Sequence, residues 1–399
     1  MKWLFIVMGV CFMITQQVSG QDTARKSTTA KWYETIGIRG YMQLRYNRLL
    51  ETNPDLKCEQ CDRSWGGTGG FYFRRIRLII FGNLGDRVYF YLQPDFASAP
   101  SVTGLNFGQI RDAYFDISFD KKKEFRVRLG QSKVPYGFEN LQSSQNRIPL
   151  DRNDALNSPL ANERDIGAFF YWAPAEKREL FSRLVSSGLK GSGDYGVVGI
   201  GVYNGQNANR PELNNQPHVV ARVTWPFELA NKQIIETSIQ AFAGKFVITD
   251  TTLGVKTLNV SKGYDDQRIG ATFILYPQPF GIQAEYNIGT GPQYIPVKNA
   301  IEQKKLSGGY VLLSYMWKPG NQILIPFGRY QVYKGGKKHE LDARSYDVKE
   351  FELGVEWQMN KYIEFVAMYT MSNRRFEDAR NPSNLQKGNL LRLQAQLNF

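Results

Sequence analysis

Residues 35–47 read TIGIRGYMQLRYN, and their character alternates at every step. Ile36, Ile38, Gly40, Met42, Leu44 and Tyr46 hold the even positions; Gly37, Arg39, Tyr41, Gln43, Arg45 and Asn47 hold the odd ones. Successive side chains of a β-strand point to opposite faces, so the stretch is a strand with one apolar and one polar side.

The same alternation returns along the chain. Phe125, Val127 and Leu129 oppose Arg126, Arg128 and Gly130, and Val219, Ala221, Val223 and Trp225 oppose His218, Arg222 and Thr224. Phe351, Leu353, Val355 and Trp357 oppose Glu350, Glu352, Gly354 and Glu356. At the C-terminus Leu391, Leu393, Ala395, Leu397 and Phe399 oppose Arg392, Gln394, Gln396 and Asn398. Counting such segments gives about sixteen strands, an even number that returns both chain ends to one side of a membrane.

The connections alternate in length. Short ones fall near 83–86, 120–124, 276–281, 318–322 and 358–361; long ones fall near 50–70, 97–108, 131–163, 205–216, 246–265, 290–305, 334–347 and 371–387. Short periplasmic turns and long outer loops are what a membrane barrel uses. Phe119, Trp172, Trp225, Tyr276, Trp317, Trp357 and Phe399 end strands at lipid-facing parity on the short-turn side, where they form an interfacial girdle. A soluble β-sandwich has no reason to set its tryptophans at one level. Residues 173–193 fit no strand; a short helix and an earlier start of the next strand are both open there. The expected fold is all-β, a transmembrane antiparallel up-and-down barrel.

Composition agrees with this class. Aromatic residues make up 14% of 399, with 25 Phe, 22 Tyr and 37 Gly against 2 His, which favours strands and turns. Lys2, the apolar run 4–14 and Val18-Ser19-Gly20 form a signal peptide at 1–20. A periplasmic extension at 21–34 and a barrel at 35–399 follow. No later run of about twenty apolar residues exists, which excludes helical spans. The formal charge of +13 would suit nucleic acid, but an exported chain meets anionic solutes and lipopolysaccharide instead.

Cys58 and Cys61 remain after the signal is removed. Their C-x-x-C spacing favours a disulfide-closed loop in an oxidising compartment over a zinc site or a redox pair.

Parity places Arg39, Arg45, Arg75, Arg77, Arg87, Arg126 and Arg128 on the inner wall of the first five strands, with Asp95, Asp112 and Asp116 among them. Glu236, Glu285, Glu350, Glu352, Glu356 and Glu364 fall on the later strands. Guanidinium groups on that wall suit phosphate and carboxylate. The competing reading is that they merely solvate the lumen and brace neighbouring strands. His218 and His339 belong to different outer loops and read as surface residues, so no catalytic site is expected, nor any resident metal or cofactor.

Two passages resemble the phosphate-selective porin O and P family of outer-membrane porins. One is Phe73-Arg74-Arg75-Ile76-Arg77-Leu78 with Gly82; the other runs from Arg128 through Lys133, Pro135 and Gly137 to Glu139. The resemblance implies a sixteen-stranded, usually trimeric barrel in the outer membrane of a Gram-negative bacterium, narrowed by inward-folded loops. It nominates Arg75, Arg77, Arg128 and Lys133 for an anion path, with Arg147 and Arg152 in the third loop. The expected function is passive diffusion of small solutes with a preference for anions such as phosphate. A non-selective porin and a loop-closed barrel acting as a surface receptor or structural partner are the alternatives.

Overall fold

A computed structural model describes residues 32–56, 70–96, 108–159, 164–257 and 262–399. The expected signal peptide 1–20, most of the expected extension 21–34, and both Cys58 and Cys61 lie outside the described residues.

Sixteen strands close into one barrel in chain order, each antiparallel to its neighbours. They are β1 (Gly37–Leu49), β2 (Phe71–Leu84), β3 (Val88–Asp95), β4 (Gln109–Ser118), β5 (Phe125–Lys133), β6 (Arg164–Trp172), β7 (Val198–Tyr203) and β8 (His218–Glu228). The second half comprises β9 (Ile234–Phe246), β10 (Tyr264–Leu275), β11 (Phe280–Ile295), β12 (Ala300–Tyr315), β13 (Ile323–Gly336), β14 (Ser345–Gln358), β15 (Ile363–Glu377) and β16 (Leu385–Asn398). Helices α1 (Phe138–Leu141) and α2 (Asp154–Asn157) lie in the third outer loop, and α3 (Ala175–Ser186) lies between β6 and β7.

The alternation is realised as side-chain direction. In β1, Tyr41, Gln43, Arg45 and Asn47 are buried in the lumen while Ile38 is 67% exposed on the outside. Lipid supplies no hydrogen bonds, so every backbone group at that depth pairs across the closed ladder. Closure is made by β1 on β16, from Tyr41↔Asn398 onward. Beyond the ladder, Gly40 N–H donates to the Phe399 carbonyl at 2.7 Å and Phe399 N–H to Gly40 at 3.0 Å.

Several expectations change. The segments 290–305 and 371–387 are mostly strand: β11 and β12 leave only residues 296–299 between them, and β15 and β16 only 378–384. Above the membrane boundary both faces of a strand meet water, so alternation fades although the ladder continues. Tyr276 is fully buried and gives its hydroxyl to Glu236, so it leaves the girdle, whereas Phe119, Trp225, Trp317 and Phe399 are exposed on the outside. Residues 173–193 hold α3, preceded by Pro174 and ended before Gly188 at φ 76°, a left-handed position that favours glycine.

Gly40 is at the seam for a steric reason. A Cβ there would sit 2.5 Å from the Arg77 carbonyl and 2.6 Å from the Phe399 ring. Gly40→Val is expected to prevent closure, so that the heat-modifiable folded band disappears on semi-native electrophoresis; a normal band would refute this account of the seam.

Candidate functional site

Residues 134–159 of the third loop fold into the barrel, and all but Ser143, Gln145 and Asn146 are buried. The wall clamps the loop through the loop's own acids. Asp151 meets Arg45 at 3.2 Å and Arg392 at 2.6 Å, Asp154 meets Arg374 at 2.9 Å and Lys337, and Glu139 meets Arg329 at 2.9 Å. Glu285 of β11 accepts the N–H of Phe138 at 2.7 Å and so holds the start of α1. Burial alone would raise the Asp151 carboxyl, but Arg45 and Arg392 outweigh it and hold it well below the usual carboxylate range. Arg374 and Lys337 do the same for Asp154.

The opposite, short-turn mouth is filled by α3. Leu180, Phe181 and Leu184 pack with Phe138, Ile148 and Leu150 of the loop against Ile234, Ile274, Leu312, Ile325, Phe327, Val366 and Met368 of the wall. These wall residues have lumen-facing parity, yet they are apolar. Lys190, just after the helix, is buried against Glu356 and lies 3.8 Å from Glu364, while its carbonyl accepts Gln142 Nε2 at 2.6 Å. The β9–β13 side of the lumen is thus packed with apolar groups, and open space is left beside β1–β6 and, at the short-turn mouth, beside β14–β16.

That space comprises a cavity of about 240 Å³ bordered by Arg39, Tyr91, Arg128, Lys133, Arg164 and Asn146, among others. A second, of about 260 Å³, shares Arg39, Gln145 and Asn146 with it and adds Lys190, Lys361 and Glu364.

The nominated cations differ in what they hold. Arg45 belongs to the loop clamp. Arg77 pairs with Asp95 at 2.8 Å and donates to the Tyr41 hydroxyl at 2.7 Å; Arg126 pairs with Asp194 at 2.6 Å. Arg128 grips Asp116 with two bonds of 2.7 and 2.9 Å and lies 3.8 Å from the Tyr114 ring centre. Lys133 donates to the carbonyls of Leu141 and Gln142, Arg147 to that of Glu139 at 3.2 Å, and Arg152 to Asn140 Oδ1 at 2.8 Å. Arg75 donates to Gln43 Oε1 at 2.8 Å and makes no ion pair with a described residue. Arg39 is exposed over the Phe81 ring at 5.3 Å, likewise without an ion pair among the described residues.

Three placements correct the sequence reading. Arg87 is exposed in the turn between β2 and β3 and is not on the wall. His218 is fully buried, its Nε2 3.5 Å from Asp266, because its strand position faces the lumen. His339 is half-buried between Asn207 and the Pro159 carbonyl, since its loop also turns inward. Sequence reasoning missed Arg164 and the α3 plug. The plug had a signal: near their short-turn ends, β12 and β13 are apolar at both parities, as in Val311-Leu312-Leu313 and Ile323-Leu324-Ile325.

Removing one partner of a buried pair costs about 3–5 kcal/mol. Asp151→Asn and Asp154→Asn are therefore expected to release the loop and raise single-channel conductance; unchanged conductance in the double variant would refute the clamp. Because both carboxyls are depressed, their pairing persists below the ordinary carboxylate value and is lost only as pH falls through the depressed one. Wild-type conductance attributable to loop position should accordingly stay flat from pH 7 to about 4, and a step near pH 5 in bilayer recordings would contradict it.

Comparison with known proteins agrees with the geometry. The family model described as phosphate-selective porin O and P matches residues 55–399. The outer-membrane channel DcaP of Acinetobacter baumannii superposes with a TM-score of 0.54 at 14% identity, covering 91% of this chain and 97% of that one. The anion-selective porin of Comamonas acidovorans gives 0.54 at 9% identity, with 92% and 99% covered. A trimer form of OmpT of Vibrio cholerae gives 0.51 at 10% identity, with 92% and 100% covered. The comparison with curated protein sequences yields no match.

Proposed function

Because the chain belongs to the phosphate-selective porin O and P family, and is thus a channel of the Gram-negative outer membrane, we propose that it passes small anions along its β1–β6 wall. The observation that carries this reading is the charge bordering the open space. Arg39, Arg128, Lys133 and Arg164 border the first cavity against Asp112 and Asp194, and Arg39 belongs to both cavities with no counter-ion among the described residues. A guanidinium without a carboxylate partner can replace part of an anion's hydration shell; one already gripped by two carboxylate oxygens offers less. Arg39 is therefore the leading residue of the path and Arg75 the second, while Arg77, Arg126 and Arg128 act mainly by balancing their acids. Phosphate is one anion this chemistry accepts. A homotrimer is the proposed assembly, in line with the OmpT trimer form.

Reversal potentials across a planar bilayer under a KCl gradient test the proposal. Anion preference is expected in dilute salt, reduced by Arg39→Gln and Arg75→Gln, and weakened at 1 M, where charges are screened beyond about 3 Å. Cation preference, or none at low ionic strength, overturns it. The buried third loop and the α3 plug favour a second reading, a closed barrel serving as receptor or structural partner. Absence of any conductance from folded protein would select that one.

A further inference from the structure

A cavity larger than either of those beside the lumen lies on the other face of the barrel wall. It is an apolar groove of about 1100 Å³ on the outer wall over β9–β13. Its floor alternates with the lumen-facing residues: Ala241 and Ala243 of β9, Ile269 of β10 and Ile288 of β11 all point outward. The groove lies where two ladders end. Pairing of β10 with β11 stops at Gln267↔Thr290 and that of β12 with β13 at Ser307↔Lys334, and above these rows side chains hold the β11–β12 hairpin to its neighbours, as Gln303 Nε2 does by donating to the Asp265 carbonyl at 2.6 Å.

Its rim carries Lys305 and Lys334, both exposed and neither in an ion pair with a described residue. Asp347 is opposite Lys334 in register without closing a pair. The height of the rim follows from β12. Outward-facing Tyr315, Leu313, Val311, Gly309, Ser307 and Lys305 climb ten residues, and at about 3.4 Å per residue and a tilt near 40° that is roughly 26 Å, the height of a barrel's apolar band. Lys305 therefore stands at the outer boundary of the hydrocarbon.

We infer that this groove binds a phosphorylated, multiply acylated lipid of the outer leaflet, its acyl chains along Ala241, Ala243, Ile269 and Ile288 and its phosphate between Lys305 and Lys334. Each half of the molecule meets its complement: small apolar side chains leave room for chains, and two uncompensated ammonium groups meet an anion at the interface. A second copy of the barrel fits less well, because an apolar face pressed on the groove would bury those two lysines without supplying an anion to either. The inference concerns the outer wall and stands apart from the proposed anion path.

The test uses the full-length folded protein with diphosphorylated lipid A as the probe and phosphatidylcholine as the comparison, bound lipid being counted by native mass spectrometry. The wild type is expected to retain lipid A selectively. Lys305→Gln with Lys334→Gln, and separately Ala243→Trp, which fills the groove with its charge intact, should each weaken retention by about tenfold or more, while Lys349→Gln should not. All variants are confirmed as folded by heat-modifiability; should Ala243→Trp not fold, the exposed lysine pair decides. Equal retention by wild type and the lysine variant, or equal retention of the two lipids, overturns the inference. Efficient cross-linking of Ile288→Cys between copies would overturn it too, in favour of a second barrel at this face.

Discussion

Hydrocarbon offers a polypeptide no hydrogen-bonding partners, so a strand at membrane depth must find a strand on each side, and a sheet that obeys this everywhere has to close. The seam between β1 and β16 is where that requirement is met last. There the chain places a glycine under the terminal phenylalanine ring, so that two backbones and an aromatic edge approach closely. The alternation of side chains, the lipid-facing girdle and the existence of a lumen all follow from closure.

Closure also creates an interior that must be filled, and this protein fills it unevenly. On one side α3 and the third loop bury apolar side chains against Ile325, Val366 and Met368, an interior of the kind found in soluble domains. Further along β13 and β15, and on β1 and β16, charged groups remain, most of them paired. Arg45, Arg329, Arg374 and Arg392 are held by Asp151, Glu139 and Asp154, whose carboxylates pin the loop against distant strands. Much of the basic wall is thus structural. The space that stays open is narrow and is bordered by Arg39 in both of its cavities.

The outer wall is as uneven as the inner. Where the ladders of β11 with β10 and of β12 with β13 end, the outer wall carries an apolar groove. Departures from the regular barrel, here as in the third loop, are the places where something other than the sheet itself can be held.

Period-two alternation, read from residues 35–47 and its echoes, was enough to determine strands, faces, their number and closure, because side-chain direction in a strand depends on position alone. It also placed Arg45, Arg75, Arg77, Arg126 and Arg128 toward the lumen. Which of these arginines has a carboxylate partner was decided by tertiary structure: Arg45 is held by Asp151, more than a hundred residues away, while Arg75 meets Gln43 and, among the described residues, no carboxylate. Likewise α3 became a plug, and His218 a buried ring, through partners brought from distant strands. An ion pair depends on two side chains arriving at one point in space, and the order of residues records the direction each one faces but not the distance between them.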